Sequence, residues 1–147
     1  MKLIVDADAC PVKDSIFTIA REYKIPVILV SSIAHSMPEN DNVEIYWVDK
    51  LPQAADIKII NLSQSEDIVI TGDYGLASLV IQKGTQAISF RGMVYQEKKM
   101  DSLLESRYLS QKFRDAGGRT KGPKPFTNKD TDHFECALRK MILESQK

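Results

Sequence analysis

The chain has 147 residues, a hydrophobic share of 43%, and 20 basic against 20 acidic side chains. This length suits one domain, and the composition is typical of a globular core rather than of a disordered or fibrous chain. Asp6 interrupts the first apolar run, which argues against a signal peptide, and no stretch approaches the ~20 apolar residues of a membrane span. The cysteines, Cys10 and Cys136, lie too far apart in sequence for a metal-ligand pair and fit a reducing compartment. We therefore expect a single domain, residues 1–147, in the cytoplasm.

Residues 1–90 alternate between strand and helix signals. Short apolar runs predict strands at residues 3–5, 26–30, 68–70 and 87–90, and an alternating pattern predicts a less central strand at residues 43–48. Helices are predicted after Pro11, from Pro52 to about Gln64, and around Leu76, Leu79 and Val80 with a stop at Gly84. This alternation implies crossover connections and a mainly parallel sheet flanked by helices, with the binding crevice beyond the carboxyl ends of the strands.

The last third of the chain has a different character. Residues 97–114 are predicted to form a helix, and a loop rich in glycine and proline follows at residues 116–126. In a final helix, Phe134, Ala137, Leu138, Met141 and Ile142 recur at helical spacing. We expect that stripe to pack on the sheet.

Charge is sorted along the chain, although the total is neutral. Residues 1–90 hold seven basic and twelve acidic side chains, residues 91–129 hold ten and four, and residues 130–147 hold three and four. A basic segment beside an acidic site suits a metal-dependent enzyme that acts on a polyanion. A solvated basic surface is the alternative explanation.

Two acidic residues, Asp6 and Asp8, come directly after the first predicted strand. In an extended segment, residues two apart point the same way, so both carboxylates could face one ion. Mg²⁺ and Mn²⁺ prefer such oxygen ligands. The alternative for Asp8 is a turn or capping role before the helix at Pro11. Asp6 needs a partner of some kind, because it ends an apolar strand.

Two more aspartates are candidates for the same site. Asp73 follows the fourth strand, so it should approach Asp6 in the crevice, although, for Asp73 taken alone, an N-cap role for the next helix is the better explanation. Asp56 lies near a helix start, where it would interact favourably with the helix dipole, but its small and apolar neighbours favour an inward position. Without a cation, such a cluster would repel itself.

The basic segment offers contacts for a nucleic acid. The candidates are four basic residues and one aromatic residue: Arg114, Arg119, Lys121, Lys124 and Phe126. The basic side chains are predicted to grip phosphates, and the aromatic ring to stack on a base. The glycines and prolines of this loop equally suit a plain surface connection.

Four stretches of the sequence carry a family resemblance. They are LIVDADACPV at residues 3–12, ADIKII at 55–60, IVITGDYGLA at 68–77 and GGRTKGPKPF at 117–126. They resemble the uncharacterised bacterial YaiI/YqxD-type family, which looks like a branch of the PIN-like nucleases. The resemblance covers nearly the whole chain and implies a three-layer PIN-like α/β domain with a mainly parallel sheet of about five strands.

The resemblance also implies a site and an activity. PIN domains place acids around Mg²⁺ or Mn²⁺ at the end of the first strand, on a mid-chain helix and at the end of a later strand. Asp6, Asp56 and Asp73 match these three positions as catalytic residues and metal ligands, with Asp8 as a further ligand. A further helix acid that PIN nucleases usually carry has no equivalent here. The implied function is a divalent-metal-dependent nuclease acting on RNA or single-stranded nucleic acid.

Two alternatives remain open on the sequence alone. Asp6 and Asp8 also imitate the nucleophile and acid–base pair of haloacid-dehalogenase-type phosphatases, although Cys10 stands where that family usually has Thr or Val. A non-catalytic nucleic-acid-binding module would retain the fold and a weak metal site. Neither the metal count nor the oligomeric state follows from the sequence.

Overall fold

The computed structural model describes residues 1–32, 42–51, 53–98, 108–109, 111–112, 116–117 and 124–146. Strands and helices alternate through the first part of the chain, as the sequence predicts. The elements are β1 (Leu3–Asp6), α1 (Lys13–Tyr23), β2 (Val27–Ser31), β3 (Val43–Trp47), α2 (Ala54–Leu62), β4 (Ile68–Ile70), α3 (Tyr74–Gln82), β5 (Gln86–Ile88) and α4 (Asn128–Ser145).

The five strands form one sheet in the order β3-β2-β1-β4-β5, and every neighbouring pair is parallel. The prediction of a parallel α/β sheet is therefore confirmed. The chain moves outward from β1 to β3, then returns to the other side of β1 to form β4 and β5. The strand order thus reverses between β1 and β4, and in open parallel sheets ligands bind at the carboxyl edge of such a reversal.

Helices cover both faces of the sheet, because the strands are apolar on both sides. Leu3 and Val5 of β1 face a core shared with α1 and α4, whereas Ile4 faces a second core shared with α2 and α3. All three side chains are fully buried. The result is a three-layer arrangement with the sheet in the middle.

Helix α4 confirms the stripe predicted from its spacing. Phe134, Leu138, Met141 and Ile142 are buried in the core shared with α1, and Ala137 is partly buried against it. Thr127 begins the helix with a capping box in which Asp130 is the reciprocal partner. Most of the predicted helix at residues 97–114, and part of the loop at 116–126, lie outside the described residues.

Strand β5 ends at Ile88, two residues before the predicted end at Phe90. The chain turns there: the Gly92 amide donates to the Ser89 carbonyl, and Val94 returns to form an antiparallel bridge with Ile88. Gly92 has a φ of +90°, which glycine adopts without steric cost. Among the described residues, no helix is long and apolar enough to cross a membrane.

Candidate functional site

Asp6 is the last residue of β1, at the carboxyl edge of the sheet and beside the strand reversal. Its Oδ2 accepts a hydrogen bond of 3.0 Å from the Thr71 hydroxyl, which follows β4. The pKa of Asp6 is raised chiefly because burial disfavours the charged form. The Thr71 hydrogen bond lowers it, and the negative charges of Asp56, Asp8 and Asp73 raise it further. The folded chain thus brings Asp8, Asp56 and Asp73 within electrostatic reach of Asp6.

Asp73 serves as the N-cap of α3, which was one of its two predicted roles. Its Oδ1 accepts hydrogen bonds from the amides of Gly75, at 2.8 Å, and Leu76, at 3.3 Å. The Asp73 amide in turn donates to the Thr71 hydroxyl oxygen at 3.1 Å. Thr71 therefore links the backbone of Asp73 to the carboxylate of Asp6. The cap uses Oδ1, and a carboxylate carries a second oxygen that can bind a cation.

Asp56 lies in the first turn of α2 and is half-buried. Its pKa is raised first by burial and second by the negative charge of Asp73. Asp56 is therefore only partly buried, so the expected inward position stays a prediction, and it lies within electrostatic reach of Asp73. The helix dipole favours the charged form, so burial and repulsion outweigh it here.

Asp8 is held in place by the end of β2. Its Oδ1 accepts hydrogen bonds from the Ser31 hydroxyl at 2.6 Å and from the Ser32 amide at 3.0 Å. Its Oδ2 accepts from the same amide at 3.2 Å and from the Ser32 hydroxyl. Asp8 therefore fastens the turn after β1 to the turn after β2, a role that the turn hypothesis only partly anticipated.

The four acids share an edge of the sheet without forming a complete coordination shell. Within the described ranges, no group of three or more His, Cys, Asp or Glu side chains is placed so that it could hold one metal ion. The donor set itself consists of carboxylate oxygens, which suit Mg²⁺ or Mn²⁺.

An open groove of about 460 Å³ lies beside two of these acids. It is lined by eight residues: Asp8, Ser32, Asp49, Lys50, Leu51, Gln53, Ala55 and Asp56. Two larger cavities, of about 560 and 500 Å³, are lined mainly by residues of α4 and by none of the four aspartates. The smaller groove therefore borders the Asp8 and Asp56 side of the candidate site, whereas Asp6 and Asp73 are not among the residues that line it.

The structure describes two of the five predicted nucleic-acid contacts. Lys124 is exposed, whereas Phe126 is half-buried against the main core. Arg114, Arg119 and Lys121 lie outside the described residues. Binding by these side chains therefore stays a prediction.

Arg91, which was not among the predicted site residues, connects the basic segment to the rest of the fold. Its guanidinium carbon lies 5.6 Å from the centroid of the Phe126 ring, and it forms a 3.1 Å ion pair with Asp130. It also donates to the Lys124 carbonyl. The preceding residue, Phe90, packs so closely on Gly72 that a Cβ atom there would lie 3.0 Å from Cε2 of the ring. The loop around Arg91 thus adjoins both the basic segment and the turn that carries Asp73.

Cys10 lies just before α1, where a helix N-terminus favours a thiolate. Burial dominates instead and raises the pKa of the thiol to about 11. Cys10 also packs against the main core. A small, unreactive thiol, rather than a nucleophile, follows from this position.

The raised pKa values of Asp6 and Asp56 predict how the free energy of unfolding depends on pH. In the metal-free folded chain, Asp6 and Asp56 retain protons at pH values where the unfolded chain has released them. The contribution of these protonated carboxyls to the stability of the folded chain is therefore fully present below pH 3.8, the ordinary pKa of aspartate. It is lost as the pH rises through the raised pKa of the folded chain. We expect Asp6→Asn to gain stability relative to wild type as pH increases, measured by urea unfolding in EDTA. If the free energy of unfolding of Asp6→Asn, relative to wild type, falls as pH rises, burial and repulsion do not raise the pKa of Asp6 as stated here.

Fold and site together define a parallel α/β domain with an acidic centre at the carboxyl edge of its sheet. The family described as "Uncharacterized BCR, YaiI/YqxD family" matches residues 4–144, so the chain belongs to that family. A UPF0178 protein of Bacillus anthracis (strain CDC 684 / NRRL 3495) is 46% identical over 144 residues, which cover 97% of this chain and 99% of the relative. The UPF0178 protein BT9727_2823 of Bacillus thuringiensis subsp. konkukian (strain 97-27) has the same identity and coverage. No solved structure matches the chain significantly.

Proposed function

We propose that this protein is a divalent-metal-dependent phosphodiester hydrolase of the PIN-like kind, acting in the cytoplasm on RNA or other single-stranded nucleic acid. The observation that supports the proposal is that Asp6 ends β1 where the strand order reverses, with the charges of Asp56, Asp8 and Asp73 within electrostatic reach of it. That edge is where α/β sheets of this kind bind their ligands. The free thiols of Cys10 and Cys136 fit a reducing compartment.

The side chains have distinct parts in this proposal. Asp6, Asp56 and Asp73 would hold Mg²⁺ or Mn²⁺ directly. Asp8, which is held by hydrogen bonds at the end of β2, would add a further carboxylate beside them. A bound ion supplies charge neutralisation and Lewis-acid polarisation of a phosphoryl oxygen. Thr71 orients Asp6 by its hydroxyl and holds the Asp73 amide at the same time.

The basic segment would hold the nucleic-acid backbone. Residues 91–129 carry ten basic and four acidic side chains, and the contacts of Arg91 fix the end of this segment close to the Asp73 turn. The groove beside Asp8 and Asp56 is acidic and would repel phosphate, so the phosphates are expected to approach from the Arg91 side.

A non-catalytic binding module is the second candidate, because no three acids of the described residues are arranged to hold one ion. The phosphatase hypothesis is less favoured. It needs Asp8 as a proton donor, yet both oxygens of Asp8 accept hydrogen bonds from Ser31 and Ser32, which stabilises the charged form.

The direct test is incubation of the purified chain with 5′-labelled single-stranded RNA in Mn²⁺, Mg²⁺ or EDTA. The proposal predicts shorter products with either metal and none with EDTA. RNA binding without cleavage, at saturating metal, would favour the binding module instead. Hydrolysis of small phosphate esters, with a phosphorylated Asp6 trapped on the protein, would favour the phosphatase.

Salt should weaken RNA binding in proportion to the phosphates that are contacted. If the four basic candidates each neutralise one phosphate, a fourfold rise in salt lowers affinity roughly 50-fold. Fluorescence anisotropy in EDTA measures this without cleavage. Lys124→Ala is expected to make the salt dependence less steep, whereas Lys24→Ala, in the turn after α1, should leave it unchanged. An identical slope for Lys124→Ala and wild type would remove Lys124 from the binding surface.

A further inference from the structure

Tyr95 lies directly behind the turn that joins β4 to α3. Its side chain is 5% exposed, and its amide donates to the Ala87 carbonyl of β5 at 3.0 Å. The residue before it, Val94, pairs with Ile88. Tyr95 is therefore fixed to β5, on the side of β4 away from Asp6.

The side chain of Tyr95 contacts both ends of this turn. Its hydroxyl donates to the Thr71 carbonyl at 3.1 Å, in a buried hydrogen bond. Its ring meets the Tyr74 ring edge to face, with centroids 5.7 Å apart and an interplanar angle of 87°. Thr71 and Tyr74 flank Gly72 and the candidate ligand Asp73. The Tyr95 side chain therefore contacts the residues on both sides of this pair.

Thr71 connects the Tyr95 hydroxyl to both Asp6 and Asp73. While Tyr95 holds its carbonyl, the Thr71 hydroxyl donates to Asp6 and accepts from the Asp73 amide. Glycine at position 72 gives the turn little rigidity of its own, because it lacks a side chain. Besides Phe90, which packs on Gly72, Tyr95 supports this turn, which carries Asp73 and contacts Asp6 through the Thr71 hydroxyl.

We propose that Tyr95 is a positioning residue for the acidic centre, holding the Thr71–Tyr74 turn so that Asp6 and Asp73 face one cation. This inference rests on the proposed metal-dependent function. Tyr95 itself touches neither the ion nor the substrate. Its effect reaches the site through the Thr71 carbonyl and the Tyr74 ring, much as outer hydrogen bonds orient metal ligands elsewhere.

The test substitution is Tyr95→Phe, which keeps the ring against Tyr74 and removes only the hydroxyl. We expect the dissociation constant for Mn²⁺, measured by calorimetry, to rise about tenfold, as for other outer partners of metal sites. The electron paramagnetic resonance spectrum of bound Mn²⁺ should change, and the Asp73 amide of the metal-free protein should exchange its hydrogen faster. The matched control is Tyr23→Phe at the end of α1, which should alter none of these.

The outcomes separate this inference from the function on which it rests. Wild type that fails to bind Mn²⁺ removes the proposed function, and the positioning role with it. If wild type binds Mn²⁺ and Tyr95→Phe binds it equally well with the same spectrum, only the positioning role is overturned, even if amide exchange is faster. Weaker binding with an altered spectrum in Tyr95→Phe alone supports it.

Discussion

Replacing Asp6 by asparagine is expected to abolish metal-dependent cleavage and to weaken Mn²⁺ binding by at least about 100-fold, more than the loss of an outer partner. Asparagine keeps the size and an oxygen that can accept from Thr71, but it removes the charge that would hold the ion. Asp73→Asn should have a comparable effect. Calorimetric titration with Mn²⁺ and the RNA cleavage assay measure both consequences.

Two controls test whether the loss of cleavage and Mn²⁺ binding is specific to the acidic site. Glu66→Gln makes the same chemical change on an exposed residue in the loop before β4, and it should cleave and bind as wild type does. The metal-free Asp6→Asn chain should be at least as stable as wild type, because burial and three nearby acids disfavour the Asp6 charge. Undiminished cleavage in both Asp6→Asn and Asp73→Asn would remove the metal hypothesis.

Gly92→Ala is expected to have the largest effect on stability, a loss of about 3 kcal/mol. Two causes combine at this position. The φ of +90° is strained for any residue with a Cβ, and that atom would lie 2.8 Å from the carbonyl carbon and oxygen of His133. Since those neighbours are backbone atoms of α4, either the loop or the helix must move. Urea unfolding measures the cost.

Gly84→Ala separates these two causes. Gly84 has a similar φ of +96°, but nothing lies within 4 Å of the added Cβ. Its cost should therefore be the conformational part alone, about 1 kcal/mol. Equal losses at the two positions would show that the contact between the Gly92 loop and α4 contributes nothing.

The parts of the fold with strong local signals were predictable from the sequence. Buried parallel strands such as Ile68–Ile70 are continuous apolar runs, and the stripe on α4 follows the helical repeat, so both were found. The end of β5 was misplaced, because Ser89 and Phe90 look like a strand but belong to a turn. That turn is set by Gly92 and its contact with α4, which come later in the chain.

Part of the candidate site was predictable from the sequence. Acids that follow buried strands had to meet at one edge of a parallel sheet, which selected Asp6 and Asp73. The same rule applied to polar residues would have found Thr71, Ser31 and Ser32, which also follow strands and bind the acids. Tyr95 and Arg91 could not be found in this way, because their contacts depend on how β5 and α4 pack.

The proposed function requires that these acids share one divalent cation at the edge between β1 and β4. Crystals soaked in Mn²⁺ and measured at its absorption edge test it directly. We expect one anomalous peak there, about 2.1 Å from carboxylate oxygens of Asp6 and of at least one of Asp56 and Asp73. Well-diffracting soaked crystals with no peak at that edge, and with Asp6 and Asp73 pointing apart, would contradict it.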